Sequence, residues 1–203
     1  MLQAKYAREE RAHMNPYAII TMENGNKIEI ELLPEYAPNT VNSFLHAAQK
    51  GVFDNHCIDR IIPGKFVDMS CTGFRCKEGQ YLIPYESELN PELEVLDSSF
   101  GCVCMGGYGE AGQAGCEFFF PLKAFPEHKG IYPVFGKVRA GEEEIKRLAD
   151  VELFEVTDHP YPEVEVRRPV VPQKISKVNI IWNNYKYLEP VKLEVTELPI
   201  CWK

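Results

Sequence analysis

A single arginine, Arg60, stands among apolar residues in the stretch Cys57-Ile58-Asp59-Arg60-Ile61-Ile62-Pro63-Gly64, where strand-forming residues run into a turn. A guanidinium is always charged and presents a rigid fork of donors. Fixed beside an apolar surface, it can stabilise electron density that develops as a reaction proceeds. A lone arginine more often sits at the surface paired with a carboxylate, and residue type alone leaves both readings open. The other groups that could carry chemistry are dispersed. The 7 cysteines (Cys57, Cys71, Cys76, Cys102, Cys104, Cys116 and Cys201) form no C-x-x-C pair, and the 5 histidines (His13, His46, His56, His128 and His159) lie far apart, so no metal or other cofactor is assigned. An odd number of cysteines fits reduced thiols packed as small hydrophobes.

The charge balance narrows the partners. With 22 Lys and Arg against 30 Asp and Glu, the formal net charge is -8 and the basic residues do not cluster. Nucleic-acid phosphate needs such a cluster, and so does an anionic membrane surface, so neither is an expected partner. The opening residues MLQAKYAREERAHMN lack the apolar run of a signal peptide, and no later window is apolar enough to span a bilayer. A cytoplasmic protein is the expectation.

The elements that must position Arg60 are mostly strands. At 45% hydrophobic content, 203 residues suffice for one substantial core. Residues 1–15 read as a polar extension. Ala18–Met22 and Lys27–Leu32 have strand composition, with Asn24-Gly25 as a hairpin signal between them. Val41, Phe44, Leu45 and Ala48 repeat at helical spacing between Pro38 and Gly51, which predicts an amphipathic helix. Short strands separated by glycine-rich loops follow at Cys57–Ile62, Phe66–Met69, Gly101–Met105, Glu117–Phe120 and Val134–Val138. A second helix is expected over Glu142–Ala149, its first turn loaded with glutamates that favour the helix dipole. A proline- and charge-rich insertion near 158–172 precedes a last strand, Ile175–Trp182. The domain is placed at 16–183. The extension 184–203 carries Tyr185, Tyr187, Val191, Leu193, Val195 and Trp202, too apolar for a solvated tail, and is expected to pack back on the body or to meet a partner.

Four blocks in order carry a family resemblance: Glu35–Phe44, Cys57–Gly73, Gly101–Gly107 with Gly115–Phe120, and Val134–Val138. They closely resemble the cyclophilin family of peptidyl-prolyl cis-trans isomerases, in a divergent, bacterial-like form. The resemblance implies a mainly β fold, a closed eight-stranded antiparallel β-barrel capped by two α-helices. It implies Arg60 as the catalytic group. Allowing Lys65 as one inserted residue, it places Phe66 and Val67 in the substrate pocket, with Phe119 as its floor and Tyr132 on its wall. Met105, Gly106 and Gly107 lie along the neighbouring strand. Met69 falls where the family has a glutamine that orients the arginine, and Glu117 where it has a second glutamine. Glu127 and His128 replace a tryptophan and a leucine at the pocket edge.

The implied reaction needs no covalent intermediate and no metal. Rotation about an X-Pro bond faces a barrier of roughly 18–20 kcal/mol from amide resonance. In the twisted state the prolyl nitrogen regains a lone pair, so a fixed cationic donor beside it binds the transition state better than either planar form. The expected partners are proline-containing peptides or unfolded protein clients. Retention of Arg60, Phe66 and Phe119 favours an enzyme. Met69 and Glu117 favour the alternative, a catalytically weak proline-peptide-binding or chaperone module on the same fold.

Overall fold

The computed structural model describes residues 15–69, 76–194 and 197–202. The expected N-terminal extension and Cys71 lie outside them, apart from Asn15. Strand β1 (Tyr17–Met22) buries every second residue, Ala18, Ile20 and Met22, as a period of two requires. It pairs antiparallel with β2 (Lys27–Leu32) through the Asn24-Gly25 turn, in which Gly25 takes the positive φ of +87°.

Helix α1 (Pro38–Gln49) starts with proline in its first turn, and Ala37 at the cap offers no side-chain acceptor. The open N–H groups are met from elsewhere. The Glu86 carboxylate accepts from the Asn39 and Thr40 backbone N–H groups at 3.3 and 2.8 Å, and from the Thr40 hydroxyl at 2.6 Å. A buried acid at this helix end satisfies orphan donors and the dipole together. The inner face of α1 presents Phe44, whose ring packs on Phe53, Phe118 and Phe135 at centroid distances of 5.1, 5.3 and 5.4 Å. This aromatic group is the centre of the main core.

Further along run β3 (Arg60–Ile62), β4 (Phe66–Asp68), β5 (Leu82–Ile83), the short helix α2 (Glu86–Leu89), β6 (Cys102–Gly107), β7 (Gln113–Pro121) and β8 (Val134–Ala140). Helix α3 (Glu142–Ala149) follows within the predicted span, then β9 (Leu153–Glu155), β10 (Arg167–Pro169) and β11 (Ile175–Ile181). Glu144, in the acidic first turn of α3, accepts from Asn24 and Asn26 and so ties the helix to the first hairpin.

The sheet is mainly antiparallel, as expected, but it is not a closed barrel. Its strands follow the order β11-β1-β2-β8-β6-β7-β4-β3, with β5 paired to β7 off this path, in a curled half-barrel whose end strands form no ladder. The reason lies where the two ends of the sheet meet. β3 is only three residues long, and the chain before it turns through Asn55 at a φ of +59°. Residues 55–58 therefore meet 173–176 by scattered bonds, such as Ile58 N–H to the Gln173 carbonyl and Ile175 N–H to the His56 carbonyl, both 2.8 Å.

β10, within the insertion, pairs with β9 just before it as a separate two-stranded sheet, and Arg168 of β10 forms an ion pair at 3.3 Å with Asp59, the residue ahead of β3. The C-terminal extension packs back on the body. Asn42 on α1 accepts from the Leu188 N–H at 3.1 Å, and Asn39 accepts from the Val191 N–H at 2.8 Å. Leu193 N–H then donates to the Leu82 carbonyl at 2.8 Å, where the extension crosses Gly112. A Cβ at Gly112 would stand 2.5 Å from Leu193, and its φ of +118° itself calls for glycine.

Candidate active site

Strand alternation decides which residues face outward. On β3 and β4, Arg60 pairs with Asp68 and Ile62 with Phe66 across a tight turn. Phe66 and Asp68 therefore share a face with Arg60, while Val67 and Met69 turn inward and are fully buried in the main core. On β7, Phe118 and Phe120 enter that core. Phe119 faces the other way, clustered with Cys102, Cys104, Val134, Phe66 and Tyr132. Met105 points into the core as well. Of the ten residues assigned to the site from the sequence, Arg60, Phe66, Gly106, Gly107, Glu117, Phe119 and Tyr132 line one surface cavity of about 900 Å³. Val67, Met69 and Met105 do not, because each occupies the inward phase of its strand.

Arg60 is held on three sides. Its Nε donates to the Glu165 carbonyl of the insertion at 2.9 Å, its Nη1 to Asp68 Oδ2 at 3.4 Å, and its guanidinium carbon lies 4.9 Å from the Phe66 ring centroid. Its side chain is 19% exposed, so the charge is partly desolvated while an edge of the fork faces the cavity. On β4 the polar support of Arg60 is Asp68, while Met69 is buried in the core. Beside Arg60, Phe119 meets Phe66 at 5.6 Å and Tyr132 edge-on at 5.7 Å, which makes an aromatic cup. One edge of the cup is His128, stacked on Phe125 at 4.3 Å; burial lowers the His128 pKa. Glu127 is exposed on the adjacent turn and is not part of the lining. At Gly107, an added Cβ would stand 3.0 Å from the Tyr85 hydroxyl, a tight contact that Tyr85 would have to relieve by a small shift.

Glu117 bonds away from Arg60. The Tyr108 hydroxyl lies 2.8 Å from both of its carboxyl oxygens, and Trp202 Nε1 donates to Oε1 at 2.6 Å. Burial, reinforced by the nearby Asp68 charge, pushes its pKa up to about 8. The Tyr108 hydroxyl and Trp202 Nε1–H both donate to the carboxyl and so offset the effect of burial in part, and the Tyr108 oxygen also lies 3.4 Å from Cys201 Sγ.

Residues from outside the expected set complete the cavity. Tyr108, His159, Tyr161 and Val164 contribute to its lining, together with Leu198, Pro199 and Ile200 of the C-terminal extension. The excess apolar content of that extension was the only sequence signal pointing to it. Among the described residues, no group of His, Cys, Asp and Glu could hold a metal ion, and no helix is long and apolar enough to cross a membrane.

Solved structures establish the fold. The chain is similar to the crystal structure of a cyclophilin type peptidyl-prolyl cis-trans isomerase from Cryptosporidium parvum, with a TM-score of 0.62 and 21% identity, over 82% of this chain and 98% of that one. A second structure of that protein, determined in the presence of the dipeptide Ala-Pro, matches with a TM-score of 0.61 and 21% identity, over 81% of this chain and 98% of the other. In sequence, residues 17–177 match the family described as cyclophilin type peptidyl-prolyl cis-trans isomerase/CLD. Peptidyl-prolyl cis-trans isomerase B of Bacillus subtilis is 34% identical over 134 residues, which are 66% of this chain and 90% of the relative. Peptidyl-prolyl cis-trans isomerase CYP18-2 of Arabidopsis thaliana is 33% identical over 145 residues, 70% of this chain and 85% of the relative. The chain belongs to the cyclophilin-type peptidyl-prolyl cis-trans isomerase family, and peptidyl-prolyl cis-trans isomerisation is its activity.

Proposed function

We propose that isomerisation takes place in the cavity between Arg60 and the Phe66–Phe119–Tyr132 cup, on X-Pro bonds of peptides and unfolded protein clients in the cytoplasm. The observation that carries this reading is an arginine fixed by Glu165, Asp68 and Phe66 at the rim of an aromatic hollow. The proline ring packs against Phe119 and Phe66, and Gly106 and Gly107 leave the β6 backbone accessible to the peptide main chain. Arg60 directs an N–H at the prolyl nitrogen as the amide twists. Because its carbon frame is pinned, that donor needs no reorganisation at the barrier. Rotation leaves the substrate's covalent bonds intact, so the step requires no base, nucleophile or redox partner.

A protease-coupled isomerisation assay on the purified protein tests the assignment. Arg60→Ala is expected to lower kcat/KM by at least ~10-fold, about 1.4 kcal/mol of barrier. An unchanged kcat/KM in a folded Arg60→Ala protein removes Arg60 from the mechanism. A second reading, a slow module that chiefly binds proline peptides, is favoured by Glu117 being engaged with Trp202 and Tyr108 rather than with Arg60. It predicts that Arg60→Ala leaves peptide affinity intact while the parent's turnover is already low.

A further inference from the structure

The last described residues of the chain lie in the same cavity as Arg60. Leu198, Pro199, Ile200 and Cys201 line it directly, together with the residues of the aromatic cup. The segment is anchored at several points. Trp202 is 6% exposed, its ring stands edge-on to Tyr108 at 5.3 Å, its Nε1 reaches Glu117, and its backbone carbonyl accepts from Gln80 Nε2 at 2.9 Å. From the insertion, the Tyr161 hydroxyl accepts from the Ile200 N–H at 3.0 Å. Insertion and extension thus meet over the groove and make a second wall. About 900 Å³ stays open with that wall in place, so it bounds the groove without filling it.

The chemistry of the wall is distinct from that of the cup. Leu198, Ile200 and Val164 offer aliphatic surface, and Ile200 is 52% exposed although it sits beside a cavity. Glu163 and Glu197 stand at the exposed rim. A residue next to the substrate proline that extends toward this side gains apolar contact, whereas an acidic residue there meets like charge.

We propose that the C-terminal segment Glu197–Trp202, clamped by Tyr161, is a specificity wall that selects substrates with an apolar residue flanking the proline and rejects acidic ones. Leu198 and Ile200 are its reading residues and Trp202 is its anchor. The inference rests on the assignment of this cavity as the catalytic groove.

The test measures kcat/KM on proline tetrapeptides in which the residue on either side of the proline is Ala, Leu, Phe, Lys or Glu. Four proteins are compared: the full chain, a chain ending at Glu194, the double variant Leu198→Ser with Ile200→Ser, and Arg60→Ala. In the full chain Leu or Phe is expected to exceed Ala by about 5- to 20-fold, the worth of one modest apolar contact, and Glu to fall below Ala. In the Leu198→Ser, Ile200→Ser variant, which keeps the Trp202 anchor, that preference should shrink to within about 2-fold while turnover of the Ala peptides persists. A folded shortened chain that keeps the preference of the full chain likewise overturns the wall. An identical preference profile in the full chain and the double variant overturns the wall. Unchanged activity in Arg60→Ala overturns the groove assignment instead, so the two failures are told apart.

Discussion

The clearest quantitative consequence of this structure is that Glu117 should make stability fall as the pH rises. Its folded pKa is about 8 against an ordinary 4.5, so between those values the folded chain holds a proton that the unfolded chain has released. The stabilising contribution is fully present below 4.5 and is lost as pH rises through about 8. A gap of about 3.5 pH units corresponds to roughly 5 kcal/mol. That figure is a ceiling, because the chain has a cheaper response than global unfolding. Detaching Trp202 and the segment before it admits water to Glu117, so the loss stops at the free energy of that local opening. Glu117→Gln is neutral at every pH and can keep both bonds, its carbonyl accepting from Trp202 and its amide donating to Tyr108. The variant should match the parent at pH 5 and exceed it by a few kcal/mol at pH 9 in urea unfolding, within the ~5 kcal/mol ceiling. The chain has 2 tryptophans, so Trp182→Phe leaves Trp202 as the only indole reporter. Its emission should move to the red as pH passes about 8 in the parent, and stay fixed in the Glu117→Gln variant. A parent-to-variant stability difference that is the same at pH 5 and pH 9, with Trp202 emission constant in both, refutes the buried protonated carboxyl.

Three further outcomes are expected. Burial depresses the His56 pKa to about 4 from 6.5, so its contribution is present above 6.5 and lost as pH falls toward 4. That costs roughly 3 kcal/mol, read as a lowered urea midpoint that His56→Gln should flatten. Asp68→Ala should lower kcat by about 10-fold with KM little changed, because Arg60 loses one of its fixed contacts, and Asp68→Asn should recover most of the rate; equal losses in both variants would count against a positioning role. Met69→Gln places an amide in the main core. It should cost about 1–3 kcal/mol of stability and leave turnover per folded molecule unchanged, and a rate increase would mean that position 69 reaches the groove.

Much of the scaffold was legible because it rests on local rules. The two-residue alternation of Ala18, Ile20 and Met22 and the helical spacing of Val41, Phe44 and Leu45 each have one low-energy solution once a core exists. Closure of the barrel was not local. It depends on how residues 55–58, ahead of β3, meet 173–176, and no periodicity encodes that meeting. Nor did composition show where the apolar extension goes. Its path is set by side chains on α1, Asn39 and Asn42, which serve its backbone as partners from more than a hundred residues away.

On β4, a register of one residue decides which side chains reach Arg60. Treating Lys65 as an insertion shifts every later position on β4 by one, and in a strand a shift of one exchanges the two faces. Met69 then seems to stand beside Arg60, and the site looks as if it has lost its support. The observed turn brings Ile62 opposite Phe66, which sets Asp68 opposite Arg60. The alternation itself held the answer. Val67 and Met69 are apolar and belong inside, while Asp68, between them, can only face out toward the arginine. Burial and, after it, the Asp68 carboxylate oppose ionisation of Glu117, while the bonds that Tyr108 and Trp202 donate to it offset that opposition in part. Asp68, Glu117 and the C-terminal segment are therefore connected: Asp68 holds Arg60 and adds to the burial that raises the Glu117 pKa, and Glu117 accepts from Trp202, which anchors the segment lining the cavity.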